Sequence, residues 1–416
     1  MTVEPIAIPK KSINFLLGMS VYNIGLNLLW VAYNSILLPI MVQNATSEST
    51  KGLWLGVVSS VSILVGITIN IVAGVVSDNS QSRWGRRNPT IVIGALLTVA
   101  TLLACAYAPQ TLPFVFISYF LIQFFGNVSC GAYQPLLADV VPENQRGTTS
   151  GFQGAFTIIG AILGFMVVTT LVSEGNIPLA VIIIAVTFLA STIYNAVVIR
   201  KVDKPLPHLQ TISIPRALLE SFQVRTHVPG FTWFVFANFL MYMGVTSFSF
   251  FGIYYFQTVL KLADPVIGMR TAGMVGIVVN LVAAVIAGIV SDKIGRKYLI
   301  IGAGVVSGVL SFFFPFLRSF AIFIAISAVY GAANGVVYSV NQALASGLVP
   351  ADEAGKFMAY NNLSVGLANT VAPLLFGAIL NFQGAPTITS FVIFFFVAAG
   401  FYLVSSVVFA LKVPKR

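Results

Sequence analysis

The chain has 416 residues, of which 57% are hydrophobic and 8% charged, and its mean hydropathy is +0.94. A water-soluble fold of this length cannot hide that much apolar surface, so a soluble enzyme or soluble binding module is excluded. The formal net charge of +10 would suit a nucleic-acid binder, but the placement of the charges along the chain assigns the excess to membrane topology instead.

About 20 apolar residues span a hydrocarbon core of about 30 Å. In lipid, helices satisfy their own backbone polar groups. The hydropathy pattern predicts twelve such helices, at about 14–40, 53–76, 89–108, 112–137, 149–172, 178–199, 231–259, 266–290, 298–317, 320–347, 355–381 and 386–411. The first is too long for a signal-peptide core, and no small-residue cleavage site follows it, so it reads as a retained helix. It carries Asn23, Asn27, Trp30 and Asn34 at i, i+4, i+7 and i+11, a stripe about 60° wide at about 100° per residue. Asn44-Ala45-Thr46 after it has the form of a glycosylation sequon.

Helix two ends in Gly74-Val75-Val76-Ser77-Asp78, and a basic loop with Arg83, Gly85, Arg86 and Arg87 follows. Cys105 and Cys130 fall inside helices three and four and read as buried free thiols. Helix four repeats the spacing of helix one with Gln123, Asn127, Cys130 and Gln134, then ends in Leu136-Leu137-Ala138-Asp139, with Arg146 beyond. Helix five has Gly151, Gly154, Gly160 and Gly164 with no proline among them. Residues 201–230 form a polar linker that holds both histidines, His208 and His227. Within it, Ser213 and Pro215 suit a helix start, and Ile214, Leu218 and Phe222 would make that short helix amphipathic. The plainer reading is a solvated linker.

In the second half, helix seven offers Asn238, Tyr242 and Ser249. Arg270 lies about a turn into helix eight, where it either snorkels to headgroups or meets an anionic solute. Helix eight ends in Gly288-Ile289-Val290-Ser291-Asp292, followed by Gly295, Arg296 and Lys297. Helix ten carries Asn334, Tyr338, Asn341 and Gln342. Asn70 on helix two, and Asn361, Asn362 and Asn369 on helix eleven, read as packing or gating groups.

The Gly-to-Asp phrase at 74–78 recurs 214 residues later at 288–292, and the pair Val141-Pro142 recurs 208 later as Val349-Pro350. Two phrases in the same order at nearly one offset predict a duplication, with six helices in residues 1–200 and six in 231–416. Of the 22 Lys and Arg residues, only Lys51, Lys261, Arg270 and Arg318 fall on the outer side, an asymmetry that places both termini in the cytoplasm.

The repeated phrase, the twelve helices and the six-plus-six plan resemble the major facilitator superfamily. The first copy is longer, Asp78-Asn79-Ser80-Gln81-Ser82-Arg83-Trp84-Gly85-Arg86-Arg87-Asn88-Pro89. That expanded form is similar to the sucrose-type and glycoside–pentoside–hexuronide sugar transporters. The resemblance implies an all-α integral membrane fold of two pseudo-symmetric six-helix bundles. It also implies alternating access and a central cavity lined by helices one, four, seven and ten. Asn23, Asn27, Trp30, Asn34, Gln123, Asn127, Gln134, Asn238, Tyr242, Tyr338, Asn341 and Gln342 would then contact the substrate. When helix four is aligned on Leu136–Asp139, the sugar branch's coupling carboxylate and its helix-four Arg fall on Gln123 and Gln134, both neutral here. All Asp and Glu lie in loops or at helix ends, so the expectation is a facilitator without a membrane-embedded coupling carboxylate.

Amides, phenols and one indole suit a neutral polyhydroxylated solute, a sugar or glycoside, because they donate, accept and stack. The bland reading of the same stripes is helix–helix hydrogen bonding. The loop residues Gly74, Asp78, Arg83, Gly85, Arg86, Arg87, Asp139, Arg146, Gly288, Asp292, Gly295, Arg296 and Lys297 read as a gate. Gly74 and Gly288 would allow close helix approach, and Arg83 or Arg86 would pair with Asp139 to hold the two halves shut on the cytoplasmic side. The alternative is a solvated loop that only fixes topology.

No catalytic constellation, cofactor motif or metal-ligand cluster is present in the sequence. The expected partners are a small-molecule substrate and the lipid bilayer, with no nucleic acid, for a monomer in the plasma membrane. Rival readings are a multidrug carrier, an amphipathic-lipid carrier and a non-transporting membrane sensor.

Overall fold

The computed structural model describes residues 9–204, 214, 228, 230–348 and 354–414. The amphipathic helix expected around Ser213, both histidines and the second Val-Pro pair lie outside them. Among the described residues, twelve helices are long and apolar enough to cross a membrane. They are α1 (Ile13–Ala45), α2 (Lys51–Asp78), α3 (Asn88–Ala106), α4 (Leu112–Val140), α5 (Glu143–Ser173), α6 (Ile177–Ile199), α7 (Phe231–Thr258), α8 (Pro265–Ser291), α9 (Arg296–Phe316), α10 (Phe320–Ala345), α11 (Tyr360–Leu380) and α12 (Ile388–Lys412). Most ends fall close to those read from hydropathy, because the apolar run is the physical cause of the span. The start of α5 is earlier than expected. Pro142 sits extended at φ −64°, ψ 150° and the helix restarts at once, but its first turn, Glu143 to Arg146, carries no apolar signal.

Two spans are not uniform. α1 runs as α-helix to Ala32, passes through a π-helical turn at Tyr33–Leu37 and resumes at Leu38. Pro39 follows the turn; it has no N–H to give and its ring crowds the carbonyl four residues back. A π turn holds one extra residue and so rotates the residues after it by roughly 100° against those before it. α5 carries a second such turn at Gly164–Val168.

The chain divides into two compact units. The first comprises Met1–Tyr33, Val65–Pro109 and Ile117–Leu218; the second comprises Asn34–Leu64, Gln110–Phe116 and Leu219–Arg416. In the first, α1 packs on α5 and α6, and α3 packs on α6. In the second, α7 packs on α11 and α12, and α9 packs on α12. The same order of pairings in both is the structural counterpart of the sequence repeat.

The second unit also holds the end of α1 and the start of α2. Tyr254 Oη donates to Pro39 O at 2.8 Å, Gln257 Nε2 donates to Gln43 Oε1 at 3.1 Å, and Asn381 Oδ1 accepts from Leu53 N at 2.8 Å. Lys51, expected on an outer loop, instead opens α2 and is only 3% exposed. Its Nζ meets Glu48 at 2.7 Å and lies 4.7 Å from the centre of the Tyr254 ring, so a carboxylate and an aromatic face replace its lost hydration.

The sequence pattern places close helix approach at Gly74 and Gly288, and it does not occur there. A Cβ at Gly74 would meet Gly131 O at 3.6 Å, and one at Gly288 would meet Ser339 Oγ at 3.7 Å, both ordinary contacts. For these two helix pairs the close approach is instead at Gly131 of α4, where a Cβ would come to 3.0 Å from Asn70 Cα, and at Gly335 of α10, 3.0 Å from Asn280 Cα. Asn70 and Gly131 thus stand in the first repeat where Asn280 and Gly335 stand in the second.

Candidate functional site

In the first unit the polar side chains of α1 face α4 and α5. Asn23 Nδ2 donates to Tyr133 Oη at 2.8 Å and to Ser20 O at 3.1 Å. Tyr133 Oη also accepts from Gln153 Nε2 at 3.1 Å and donates to Met19 O at 3.1 Å. Its ring stacks on Tyr22 with centroids 4.1 Å apart. Asn27 Nδ2 donates to Thr157 Oγ1 at 3.3 Å. The Trp30 ring lies against Gly126, where a Cβ would sit 3.0 Å from it. Asn23, Asn27, Trp30 and Asn34 are all half-buried. Asn34, however, falls inside the π turn and belongs to the second unit. The turn takes it off the stripe of Asn23, Asn27 and Trp30, because a constant 100° per residue does not hold through it.

On α4, Gln123 is 5% exposed. Its Nε2 donates to Tyr119 Oη at 2.7 Å, and its Oε1 accepts from Asn127 Nδ2 at 3.1 Å. Asn127 Oδ1 in turn accepts from Asn70 Nδ2 at 3.3 Å. This is a run of neutral groups through α4 and α2, at the place where the resemblance set a carboxylate. Gln134 is exposed, contacts Cys130 Sγ at 3.4 Å, and immediately precedes Pro135, where α4 is interrupted. Both cysteines are buried free thiols.

No hydropathy or spacing signal singles out Tyr119, Tyr133, Gln153 or Thr157. Gln153 and Thr157 do share the i, i+4 spacing, but on a helix conspicuous only for its glycines. Tyr133→Phe is expected to cost about 1–2 kcal/mol in unfolding measurements on the purified protein, because it strands the amide donors of Asn23 and Gln153.

In the second unit, Asn238 and Asn341 are 1% and 2% exposed. Asn238 Nδ2 donates to Asn361 Oδ1 at 3.0 Å and to Ser364 Oγ at 2.6 Å, and Asn341 Nδ2 donates to the same Asn361 oxygen at 3.2 Å. This knot ties α7, α10 and α11 together and leaves neither residue open to a solute; here the helix–helix reading prevails. Tyr242 is buried and packs edge-on against Tyr338 at 5.7 Å. Tyr338, at 47% exposure, and the exposed Gln342 remain open.

The loop charges form a cluster inside the first unit. Arg86 and Arg87 both bond Asp139, the latter through Nε at 2.6 Å. Arg87 also bonds Asp78 and donates to Ser77 Oγ at 3.1 Å. Asp203, just past α6 and 4% exposed, accepts the backbone N–H groups of Arg87 and Asn88 at 2.8 and 2.9 Å, which caps the start of α3 with a carboxylate from elsewhere in the chain. Gly85 sits at φ +115°, beside that carboxylate, a backbone region that only glycine adopts freely.

These bonds close within one unit, so the cluster joins α2, α3, α4 and the end of α6. Arg83, one of the two expected partners of Asp139, is exposed and outside the cluster. Arg146 donates to Ala138 O at 3.1 Å and Val141 O at 3.3 Å, at the end of α4. In the second unit, Arg296 donates to Ala343 O at 2.8 Å, and the buried Lys297 donates to Ala410 O at 2.9 Å and Val413 O at 2.6 Å. All three cations satisfy carbonyls near helix C-termini. Gly295 before them is at φ +98°, and the Asp292 side chain lies outside the described residues.

Residues 13–285 and 234–416 match the profile of the Major Facilitator Superfamily. The chain belongs to that superfamily. Among curated proteins, this superfamily member is 26% identical to a general alpha-glucoside permease of Schizosaccharomyces pombe over 175 residues, 38% of the chain and 31% of the permease. It is 24% identical to a sucrose transport protein of Arabidopsis thaliana over 345 residues, 72% of the chain and 66% of that protein. The chain therefore spans about a third of the first relative and about two thirds of the second. A solved nucleoside transporter has TM-score 0.72 at 15% identity, covering 95% of this chain and 99% of that one. At that identity the likeness shows the fold, and fold alone does not select a cargo.

Proposed function

We propose that this Major Facilitator Superfamily member carries a neutral sugar or glycoside, of the α-glucoside class, by alternating access and without a membrane-embedded coupling carboxylate. The observation that carries this reading is the neutral chain Tyr119, Gln123, Asn127 and Asn70 in the middle of α4 and α2. Every Asp or Glu within the twelve spans lies in a first or last turn. Amides bind hydroxyls by both donating and accepting and require no counter-ion. The names of the two curated relatives, an alpha-glucoside permease and a sucrose transport protein, support the substrate class.

In this proposal the first unit binds sugar through Asn23, Asn27, Trp30, Asn127 and Gln134, and the second presents Tyr338 and Gln342. The protein works as a monomer in the plasma membrane, with cytoplasmic termini set by the Lys and Arg asymmetry.

The test is uptake into liposomes that contain the purified protein, with labelled sucrose, maltose and trehalose beside a nucleoside, with and without an imposed pH gradient. The expected result is saturable entry of an α-glucoside that stops at equilibrium and ignores the gradient. Trp30→Ala should raise KM about tenfold through the lost ring face. Absence of uptake for every sugar would reject the substrate class, and accumulation above equilibrium in a pH gradient would reject the uncoupled mechanism.

A further inference from the structure

A groove of about 220 Å³ runs between α3 and α6 in the first unit, at the end that carries the loop charges. Its walls are apolar, with Val92 on one side and Ile193 and Val197 on the other. Ile193 and Val197 are exposed, so the groove opens on the surface that α6 presents to lipid. Its polar end is built differently. Asn88 is 6% exposed and its Nδ2 donates to Trp84 O and Ala196 O, yet its Oδ1 is buried without a partner.

Arg200 lines the same end and is exposed, with no carboxylate partner among the described residues. Lys201 and Lys204 follow it in sequence and are exposed as well. The acid among them, Asp203, is already committed to the start of α3. Trp84, 59% exposed at the groove mouth, is the amphipathic side chain expected at headgroup depth.

We infer that this groove is a binding site for one anionic glycerophospholipid. An acyl chain lies along Val92, Ile193 and Val197. The phosphate meets Arg200 in a charge-assisted pair at the end of the groove where Lys201 and Lys204 are also exposed. The apolar wall open to lipid favours a membrane lipid over free phosphate. The free basic side chains favour an anionic lipid over a zwitterionic one. Occupancy fixes the first turn of α3 beside Arg86 and Arg87, so the lipid bears on the charged cluster without touching the sugar-binding residues.

The test is native mass spectrometry of the purified, delipidated chain with dioleoyl phosphatidylglycerol or dioleoyl phosphatidylcholine. One phosphatidylglycerol should be retained at least fivefold more strongly than phosphatidylcholine, and Arg200→Gln should reduce that retention about fivefold. Val197→Trp, which fills the groove from an exposed position, should also reduce it, and Lys261→Gln, on the loop between α7 and α8, should not. Equal retention of the two lipids, or full retention by Arg200→Gln, overturns the site. Displacement of the lipid by millimolar inorganic phosphate would identify a free-anion site instead and overturn the lipid assignment. If Val197→Trp fails to give a monodisperse protein, Arg200→Gln decides alone.

Discussion

Asp139→Asn is expected to destabilise the first unit by about 3 kcal/mol, with loss of uptake following from that damage. Arg86 and Arg87 are 8% and 3% exposed, and a single oxygen of Asp139 receives both. Removing one partner of a buried ion pair costs about 3–5 kcal/mol, because the remaining charge is left in a poor dielectric. The lower end applies, since the Asp139 side chain keeps 26% of its surface exposed and Asp78 still bonds Arg87. Adding Arg87→Gln to Asp139→Asn should recover part of the loss by deleting the stranded charge, an interaction that a double-mutant cycle reads directly. Arg83→Gln, exposed and outside the cluster, should stay within about 0.5 kcal/mol. Wild-type stability for Asp139→Asn in unfolding of the purified protein would show that the cluster carries no structural load. A transport defect in that variant is therefore no measure of ion coupling, which the proton-gradient arm of the uptake assay addresses with the unmodified chain.

How far the sequence could be read depends on how local the deciding physics is. The spans were legible because each is decided by its own hydropathy. The pairing of Arg86 with Asp139 was legible because helix-end charges with few competitors must find one another. Three features were hidden because they depend on what lies opposite. The stripe of Asn238 and Asn341 announces a polar face, but only packing reveals that Asn361 closes it. Asp203 sits between two lysines of a polar stretch, and nothing in that stretch states that α3 begins beside it. The π turn at Tyr33–Leu37 broke a periodic argument that was sound up to Trp30 and failed at Asn34. Asn238 and Asn341 are accordingly committed to packing, and Tyr133, which the pattern does not single out, holds Asn23 in place.

The same distinction between conspicuous and demanding residues sets the second expectation. Gly131→Ala should cost about 2–3 kcal/mol, whereas Gly74→Ala should be neutral or stabilising by up to about 1 kcal/mol. Alanine is the better helix former by about 1 kcal/mol, so any penalty must come from sterics. At Gly131 the new Cβ would lie 2.9 Å from the carbonyl carbon and 3.0 Å from the Cα of Asn70. Those are backbone atoms of a packed helix and cannot be relieved by a rotamer change, so α2 and α4 must separate, the usual origin of an overpacking cost of about 1–3 kcal/mol. At Gly74 the nearest atom is 3.6 Å away and nothing has to move. Separation at Gly131 also shifts Asn70, which bonds Asn127 and through it Gln123, so uptake should fall along with stability. Gly335→Ala, against Asn280, should reproduce the loss of stability in the second unit, while Gly288→Ala should not. Unfolding and uptake of these four variants provide the check. Equal costs at Gly74 and Gly131 would mean that the repeated phrase, rather than the crossing point, sets how the two helices pack.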